Sequence, residues 1–465
     1  MQVYYAVCRR GQTLEWVFFK ANDGFSSSPC QEGLLQSSGI IKQKRHFPIG
    51  TKASMSEDGL PASSQQRVLV TGGTTRHAQI PSSSSSSSNS TDLSLLCLRY
   101  EKFTLGAGWV ASYCIKELLD RGFWVRATVR NLKSKKHYEF LYEVSPGCDE
   151  ASNRLEIVEA DLRNADSWDA ACAGCSAVLH VAGVVELTPK HAKKDLIEPA
   201  LKGIENVFGA AHRSRTVKRI VLTSSIAAVS EDFADWKKHT YTAEDFNHRS
   251  TIRHNPYFYS KLLEENAARE FVKTHEGMSL TVICPNSIVG PSLNSSPGLA
   301  TGQAIVNPLL GKVPVRFPMS VGWIDVRDLA KIHVEAMLAP EAAGQRYIAS
   351  RQFEPMDHLL DLLVAEMPER RSKLPKRRVS GSLILALVHL TQPVGNYRAL
   401  KWTVNKMPKL ENSNVQRDLK VEYRPIEETV HDTCFWVKEK KLLEHHRKHK
   451  EHSSNNSAAL STVNS

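Results

Sequence analysis

Six short apolar runs alternate with helix-like segments between residues 67 and 285 of this 465-residue chain. Runs such as "RVLVTG" (67–72) and "RIVLTSS" (219–225) are short and apolar, as buried parallel strands are. The other four runs are 123–130, 155–162, 176–183 and 280–285. Because parallel strands need helical crossovers between them, the alternation predicts an α/β fold with a Rossmann-type, doubly wound parallel sheet.

Composition divides the chain into four parts. We expect residues 67–285 to form the nucleotide-binding domain and residues 286–443 to form a smaller α+β substrate-binding region. Residues 1–66 are rich in Ser, Gln and Gly without sustained periodicity, and residues 444–465 are basic and polar. Such segments bury too little apolar surface to fold, so both ends are expected to be disordered.

Two elements of the substrate-binding region can be predicted from pattern. "QRYIAS" (345–350) predicts a strand. "VGWIDVRDLAKIHVEAML" (321–338) predicts a helix over 329–338. Asp325 or Asp328 is expected to be its N-cap, because an Asp side chain accepts hydrogen bonds from first-turn N–H groups.

A glycine-rich turn follows the first predicted strand, and it is interrupted. Gly72 and Gly73 end that strand, Gly106 and Gly108 open the next helix, and a serine-rich segment of about 75–104 separates them. In a dinucleotide-binding turn the glycines allow a tight reversal and close approach to pyrophosphate, which lies on the helix N-terminus. We interpret the stretch as one cofactor turn. Its insertion is either a gene-model error or retained intron, or a genuine loop that projects outward.

Two motifs carry the chemistry of a carbonyl reduction. "NPYFYSKLLEEN" (255–266) holds Tyr257 and Lys261 one helical turn apart, where an ammonium stabilises the phenolate of a proton-donating tyrosine. "LTSSIAAV" (222–229) ends the fifth strand, so Ser225 can donate a hydrogen bond to the substrate oxygen and Thr223 is expected beside the cofactor. Each motif alone is common, and their occurrence in this order is much more specific.

The chain resembles the extended short-chain dehydrogenase/reductase superfamily, and within it the dihydroflavonol-reductase-like carbonyl and aldehyde reductases. The resemblance covers about residues 67–443 apart from the serine-rich segment, through blocks such as "VTGG", "VRATVR", "VLHVAG", "VLTSS", "YFYSK", "CPNSIVGP" and "WIDVRDLAKIHVEAM". It implies that Ser225, Tyr257 and Lys261 are catalytic and that Lys261 also holds the nicotinamide ribose. The asparagine that many members add as a fourth catalytic residue is matched here by Ala200, which puts a relay through that side chain in doubt.

The resemblance also implies a set of cofactor contacts along the strand ends. Asp161 and Leu162 match the pair beside the adenine. Val181, Ala182 and Gly183 match the segment along the cofactor. Pro285, Asn286, Ser287 and Ile288 match the segment over the nicotinamide. Arg130, at the end of the second strand, chooses between cofactors. An acidic residue there binds the ribose 2′-OH of NAD, whereas an arginine pairs with a 2′-phosphate, so NADP(H) is favoured over NAD(H).

The leading hypothesis is therefore an NADPH-dependent reductase of a ketone or aldehyde. A sugar-nucleotide epimerase or a hydroxysteroid dehydrogenase on the same fold is a second hypothesis. The sequence after the serine, "IAAVSED", lacks the Val-Tyr-Gly usual in sugar epimerases. The third hypothesis is an inactive cofactor-binding or scaffold protein, which a damaged phosphate turn would produce.

Charge and cysteine content restrict the partners. Much of the net charge of +11 comes from the chain ends, which disfavours a nucleic-acid surface on the folded part, and no apolar run approaches the roughly 18 residues of a membrane span. Nine scattered cysteines favour a reducing compartment, here the cytoplasm. Cys172 and Cys175 form a lone CxxC, and without a second pair no metal site is expected. The expected partner is a small carbonyl substrate, bound by a monomer or homodimer.

Overall fold

The computed structural model describes residues 3–10, 13–20, 66–72, 108–145, 154–186, 189–230, 240–294, 296–316, 318–391 and 404–444. The chain divides into two compact units, Met1–Glu57 and Asp58–Ser465. Gly73, Gly106, the serine-rich segment of about 75–104 and the tail from 445 onward lie outside the described residues. The predictions made for them therefore stay predictions.

The first unit contains a two-stranded antiparallel ladder formed by Val3–Arg10 and Thr13–Lys20. This ladder differs from the disorder expected for residues 1–66. Its strands, "VYYAVCRR" and "TLEWVFFK", are rich in aromatic and β-branched residues, which favour extended structure over short stretches. The average composition of the longer segment hid this local preference.

The second unit is built on a seven-stranded parallel sheet. Its strands in chain order are β1 Arg67–Val70, β2 Trp124–Val129, β3 Leu155–Glu159, β4 Ala177–His180, β5 Arg219–Thr223, β6 Ser279–Pro285 and β7 Arg346–Ala349. They lie in the order β3-β2-β1-β4-β5-β6-β7, and every neighbouring pair is parallel. This confirms the predicted doubly wound α/β sheet. Ligands bind such sheets at the carboxyl ends of the strands, near the switch between β1 and β4.

Helices cover both faces of the sheet. They are α1 Gly108–Asp120, α2 Trp168–Cys172, α3 Glu198–Ser214, α4 Ile226–Val229, α5 Pro256–Thr274, α6 Val326–Leu338, α7 Met356–Glu366, α8 Gly381–Thr391, α9 Ser413–Leu419 and α10 Ile426–Glu439. A run of short helical turns spans Leu299–Thr301, Gly302–Val306 and Asn307–Leu309. Among the described residues, every helix is too short or too polar to cross a lipid bilayer.

Strand β1 shows why these runs are apolar throughout. Val68 and Val70 lie in the core on the side of α1 and α6, whereas Leu69 lies in the core on the side of α2, α3 and α5. Successive side chains of a strand point to opposite faces, so a sheet covered on both faces needs apolar residues at consecutive positions. The apolar residues of the central strands are therefore buried.

The region after β6 returns to the sheet. Asp325 caps α6, accepting a hydrogen bond from the Arg327 N–H at 2.8 Å, which confirms one of the two predicted caps, although the helix begins three residues earlier than predicted. The predicted strand at 345–350 forms at Arg346–Ala349, as β7 of the central sheet. Smaller pairings join Ser287–Val289 to Trp323–Asp325, Ser320–Val321 to Glu354–Pro355, and Thr240–Tyr241 to Lys409–Leu410.

Candidate active site

Thr71 ties the carboxyl ends of β1 and β4 together. Its Oγ1 accepts a hydrogen bond from the Ala182 N–H at 3.0 Å and lies 3.0 Å from Nδ1 of His180. The tautomer of His180 sets which of these two groups donates to the other. Gly72 follows with φ of 92°, a left-handed conformation that glycine adopts without strain, and its N–H donates to Thr128 Oγ1 at 3.2 Å. The predicted turn thus begins as a dinucleotide turn does.

Helix α1 begins at Gly108, the last glycine of the predicted turn. Its first turn carries no acidic side chain, so the N–H groups and dipole at its N-terminus suit an anion. Ala111, three residues later, is fully buried. This Gly-x-x-Ala spacing fits the end of the dinucleotide fingerprint, where Gly or Ala allows close packing of helix and strand.

Two guanidinium groups lie near Asp161, beyond the ends of β2 and β3. The Asp161 carboxylate pairs with Arg163, with Nη2 and Oδ2 3.2 Å apart. Hydrogen bonding to Arg163 is the main cause that lowers the pKa of Asp161; burial opposes it and the charge of Arg130 contributes. Arg130 itself is exposed. Sequence reasoning singled out Arg130 and missed Arg163, although it follows Asp161 by two positions.

Leu162, the residue after Asp161, is held in place by α3. A Cβ at Gly203 would lie 3.2 Å from a methyl group of Leu162, so the helix approaches this loop closely. Asn206 donates from Nδ2 to the Leu162 carbonyl at 2.7 Å. Ala200, on the same helix, is buried and offers no polar side-chain atom.

At the end of β5, Thr223 and Ser225 have different surroundings. His333 Nδ1 lies 2.8 Å from the Leu329 carbonyl, which requires a proton on Nδ1, so the Thr223 hydroxyl donates to His333 Nε2 at 2.6 Å. Ser225 is the N-cap of α4, and its oxygen accepts from the Ala227 N–H at 3.1 Å. That bond uses a lone pair, and the Ser225 O–H remains able to donate. The hydroxyl of Thr223 thus bonds to α6, and its contact with a cofactor stays a prediction.

Helix α5 presents Tyr257 and Lys261. Asn255, with φ of 57°, reverses the chain, and Pro256 occupies the first turn, where its missing N–H costs nothing. Tyr257 is half-buried, whereas Lys261 is buried with Nζ 2.6 Å from Glu264 Oε2 and 3.5 Å from the Thr223 carbonyl. Burial lowers the pKa of Lys261, and the Glu264 carboxylate with Tyr257 more than offsets it, so the pKa is raised. Lys261 is an ammonium.

The chain beyond β4 passes directly over that ammonium. A Cβ on Gly183 would lie 3.1 Å from Lys261 Nζ and 3.8 Å from Glu264 Oε1, so a glycine is what lets the backbone approach. Val181, two residues earlier, is buried, and its N–H donates to the Leu179 carbonyl at 3.1 Å. The predicted segment Val181, Ala182 and Gly183 and the predicted lysine are therefore neighbours.

The segment after β6 contains an amide that lacks a partner. Asn286 donates from its backbone N–H to Ala349 of β7 at 3.2 Å, and Oδ1 accepts from Ser287 N–H at 2.9 Å. Its Nδ2 is buried without a hydrogen-bond partner in the described part of the chain. Space for this amide comes from Gly322, where a Cβ would lie 2.3 Å from Nδ2. An orphaned buried donor fits a segment that covers a polar ligand such as a nicotinamide.

The CxxC motif lies in the core. Cys172 and Cys175 are both fully buried, and burial raises the pKa of their thiols to about 12 and about 11. Both are thus protonated at neutral pH. Within the described ranges no group of three metal-ligating side chains occurs.

The comparisons identify the family. A family model described as "NAD dependent epimerase/dehydratase family" matches residues 105–349. The chain belongs to the NAD dependent epimerase/dehydratase family. The matched residues begin beyond the serine-rich segment, although β1 lies in the sheet of the structure.

Curated relatives of this epimerase/dehydratase-family chain include plant reductases. A cinnamoyl-CoA reductase, CAD2, of Medicago truncatula is 34% identical over 257 residues, covering 53% of this chain and 75% of that protein. A dihydroflavonol 4-reductase of Callistephus chinensis is 30% identical over 272 residues, covering 57% and 72%. The resemblance to extended, dihydroflavonol-reductase-like members of the short-chain dehydrogenase/reductase superfamily is confirmed.

Solved structures support the same fold. Vestitone reductase from alfalfa matches with a TM-score of 0.56 at 25% identity, covering 81% of this chain and 99% of that one. Gre2 from Candida albicans, in complex with NADPH, matches with a TM-score of 0.59 at 21% identity, covering 81% and 99%. At that identity the second likeness shows the fold alone.

Proposed function

We propose that this chain is an NADPH-dependent reductase of a ketone or aldehyde, similar to dihydroflavonol reductases. The observation that carries the proposal is the cluster at the ends of β4 and β5. There the buried ammonium of Lys261 lies under Gly183, one turn from Tyr257 and close to the strand that delivers Ser225. Relatives named as cinnamoyl-CoA reductase, dihydroflavonol 4-reductase and anthocyanidin reductase support it.

Each side chain of this cluster has a separate role in the proposed carbonyl reduction. NADPH, when bound, supplies the hydride. Tyr257 donates its phenolic proton to the substrate oxygen, and Ser225 donates a hydrogen bond to that oxygen as negative charge develops on it. The Lys261 ammonium stabilises the phenolate that remains. Because Ala200 has no polar side chain, reprotonation of Tyr257 takes a route that does not use this position.

The residues that would hold the cofactor follow the sheet edge. Gly72 and the N-terminus of α1 are suited to the pyrophosphate, and Arg130 with Arg163 to a 2′-phosphate. Asn286 would use its orphaned Nδ2 near the nicotinamide. Two guanidinium groups at the adenine end favour NADP(H) over NAD(H).

An inactive cofactor-binding or scaffold protein is the alternative that a specific observation favours. Gly72 and Gly108, two ends of one phosphate turn, are separated by the serine-rich segment. Weakened pyrophosphate binding would follow if that segment kept the turn open. A sugar-nucleotide epimerase or hydroxysteroid dehydrogenase would be distinguished by turnover of UDP- or GDP-sugars or of steroids.

One experiment separates these proposals. We expect the full chain to bind NADPH in a fluorescence titration and to oxidise it in the presence of a ketone or aldehyde. Tyr257→Phe should retain NADPH binding and lose most turnover, because only the proton donor is removed. Turnover that survives in Tyr257→Phe would overturn the assigned chemistry, and absent NADPH binding would favour the inactive alternative.

A further inference from the structure

The strongest contact of Lys261 is with a carboxylate of its own helix. Lys261 Nζ and Glu264 Oε2 are 2.6 Å apart, and the two side chains are 8% and 3% exposed. A charge placed in such a site requires a compensating partner, since desolvation of an unpaired ion costs several kcal/mol. Glu264 therefore partly neutralises the charge of the Lys261 ammonium, which lies one helical turn from Tyr257.

Among the described residues, Glu265 is the other carboxylate whose charge acts on Glu264, and it is paired with an arginine. Burial, with the nearby ammonium, lowers the pKa of His180 on β4 to about 3, so its ring is neutral. Burial raises the pKa of the Cys284 thiol on β6 to about 12. Glu265, also on α5, accepts a hydrogen bond from Arg346 of β7 at 3.0 Å. Among the described residues, Glu264 is thus the carboxylate paired with this ammonium.

We propose that Glu264 is a positioning residue that holds the ammonium of Lys261 beneath Gly183 and offsets part of its charge at Tyr257. This inference rests on the proposed reductase chemistry. A partly offset ammonium stabilises the Tyr257 phenolate less than a bare one would.

The test compares pH profiles of kcat/KM for reduction in the full chain and in Glu264→Gln. Glutamine keeps the shape and an acceptor oxygen but removes the negative charge. We expect the alkaline limb to move to lower pH by about one unit, so that normalised kcat/KM falls roughly tenfold on that limb. Glu264→Asp, which restores the charge, should return the parent profile.

Glu270→Gln is the matched control. Glu270 pairs with Lys273 on the same helix, also three positions apart, at 3.7 Å and on the surface. Its loss should leave the alkaline limb unchanged. An unchanged limb in Glu264→Gln, or a move to higher pH because Lys261 has lost its proton, would overturn the proposal.

A second readout does not depend on turnover. The tyrosinate absorbance difference between each protein and its Tyr257→Phe derivative reports ionisation at this position alone. Its midpoint should be about one unit lower in Glu264→Gln than in the parent. If the parent fails to reduce any carbonyl, the proposed function fails, and this midpoint still tests the role of Glu264. If the parent is active and the midpoint is the same in Glu264→Gln as in the parent, only the role of Glu264 is refuted.

Discussion

His333 makes the second unit sensitive to acid in a predictable way. Its ring is fully buried between Thr223 at the end of β5 and the first turns of α6, and burial lowers its pKa to about 4. Below pH 6.5 the unfolded chain takes up a proton at this position, whereas the folded chain does so only near pH 4. The stabilisation is therefore complete above pH 6.5 and is lost as the pH falls from 6.5 toward 4.

The depressed pKa sets the size of the effect. Each unit between the folded and unfolded values is worth about 1.36 kcal/mol, so neutral burial of His333 removes roughly 3 kcal/mol of unfolding free energy by pH 4. Within that window its contribution changes by about 1.4 kcal/mol per pH unit.

Urea unfolding at a series of pH values between 7 and 4.5, followed by tryptophan fluorescence, measures this slope. His333→Gln keeps an acceptor for the Thr223 hydroxyl and cannot titrate, so its slope should be shallower by up to about 1.4 kcal/mol per pH unit. His431→Gln on the exposed face of α10 is the control. Equal slopes for His333→Gln and the parent would mean that His333 takes up its proton equally readily in the folded and unfolded chains, and the reasoning would be refuted.

Two further predictions concern the cofactor site. Arg130→Glu should weaken NADPH binding roughly 10- to 100-fold, since a charge-assisted hydrogen bond is worth about 1.5–3 kcal/mol, and should affect NADH little; an equal loss for both nucleotides in fluorescence titrations would argue against a 2′-phosphate contact. Gly183→Ala should lower kcat about tenfold, because its Cβ would lie 3.1 Å from Lys261 Nζ and shift the ammonium. Gly209→Ala on α3 meets Arg213 Nη1 at the same distance, and unchanged steady-state kinetics are expected for it.

The sheet could be predicted because its strands need apolar residues at consecutive positions, and this requirement is visible in each short stretch of sequence. Strands covered on both faces read as apolar runs, so β1 to β6 are visible without tertiary information. The place of β7 could not be predicted from its own residues. "QRYIAS" predicts a strand, but only its pairing with Ser279–Pro285 decides that it extends the central sheet.

The site was predictable only where a motif carried it. Tyr257 and Lys261 are one turn apart in any helix, and Ser225 follows a recognisable strand. His180 and His333 occur singly in apolar segments, and nothing local distinguishes them from other core residues. The spacing of Lys261 and Glu264 was visible in "KLLE", but their burial together depends on how closely α5 packs against α3, α4 and β6.

The position of β7 also limits how a substrate can be admitted. The chain leaves the sheet at Pro285, supplies Trp323–Asp325 as a partner for Ser287–Val289, and then returns to the edge of β6. Residues 286–345 are thus joined at each end to a strand of the central sheet, which restrains their movement as a rigid body. We expect entry and release to depend on local opening of loops that follow strands β5 and β6, so mutations at residues 242–255 and 290–294 should alter the rate of product release.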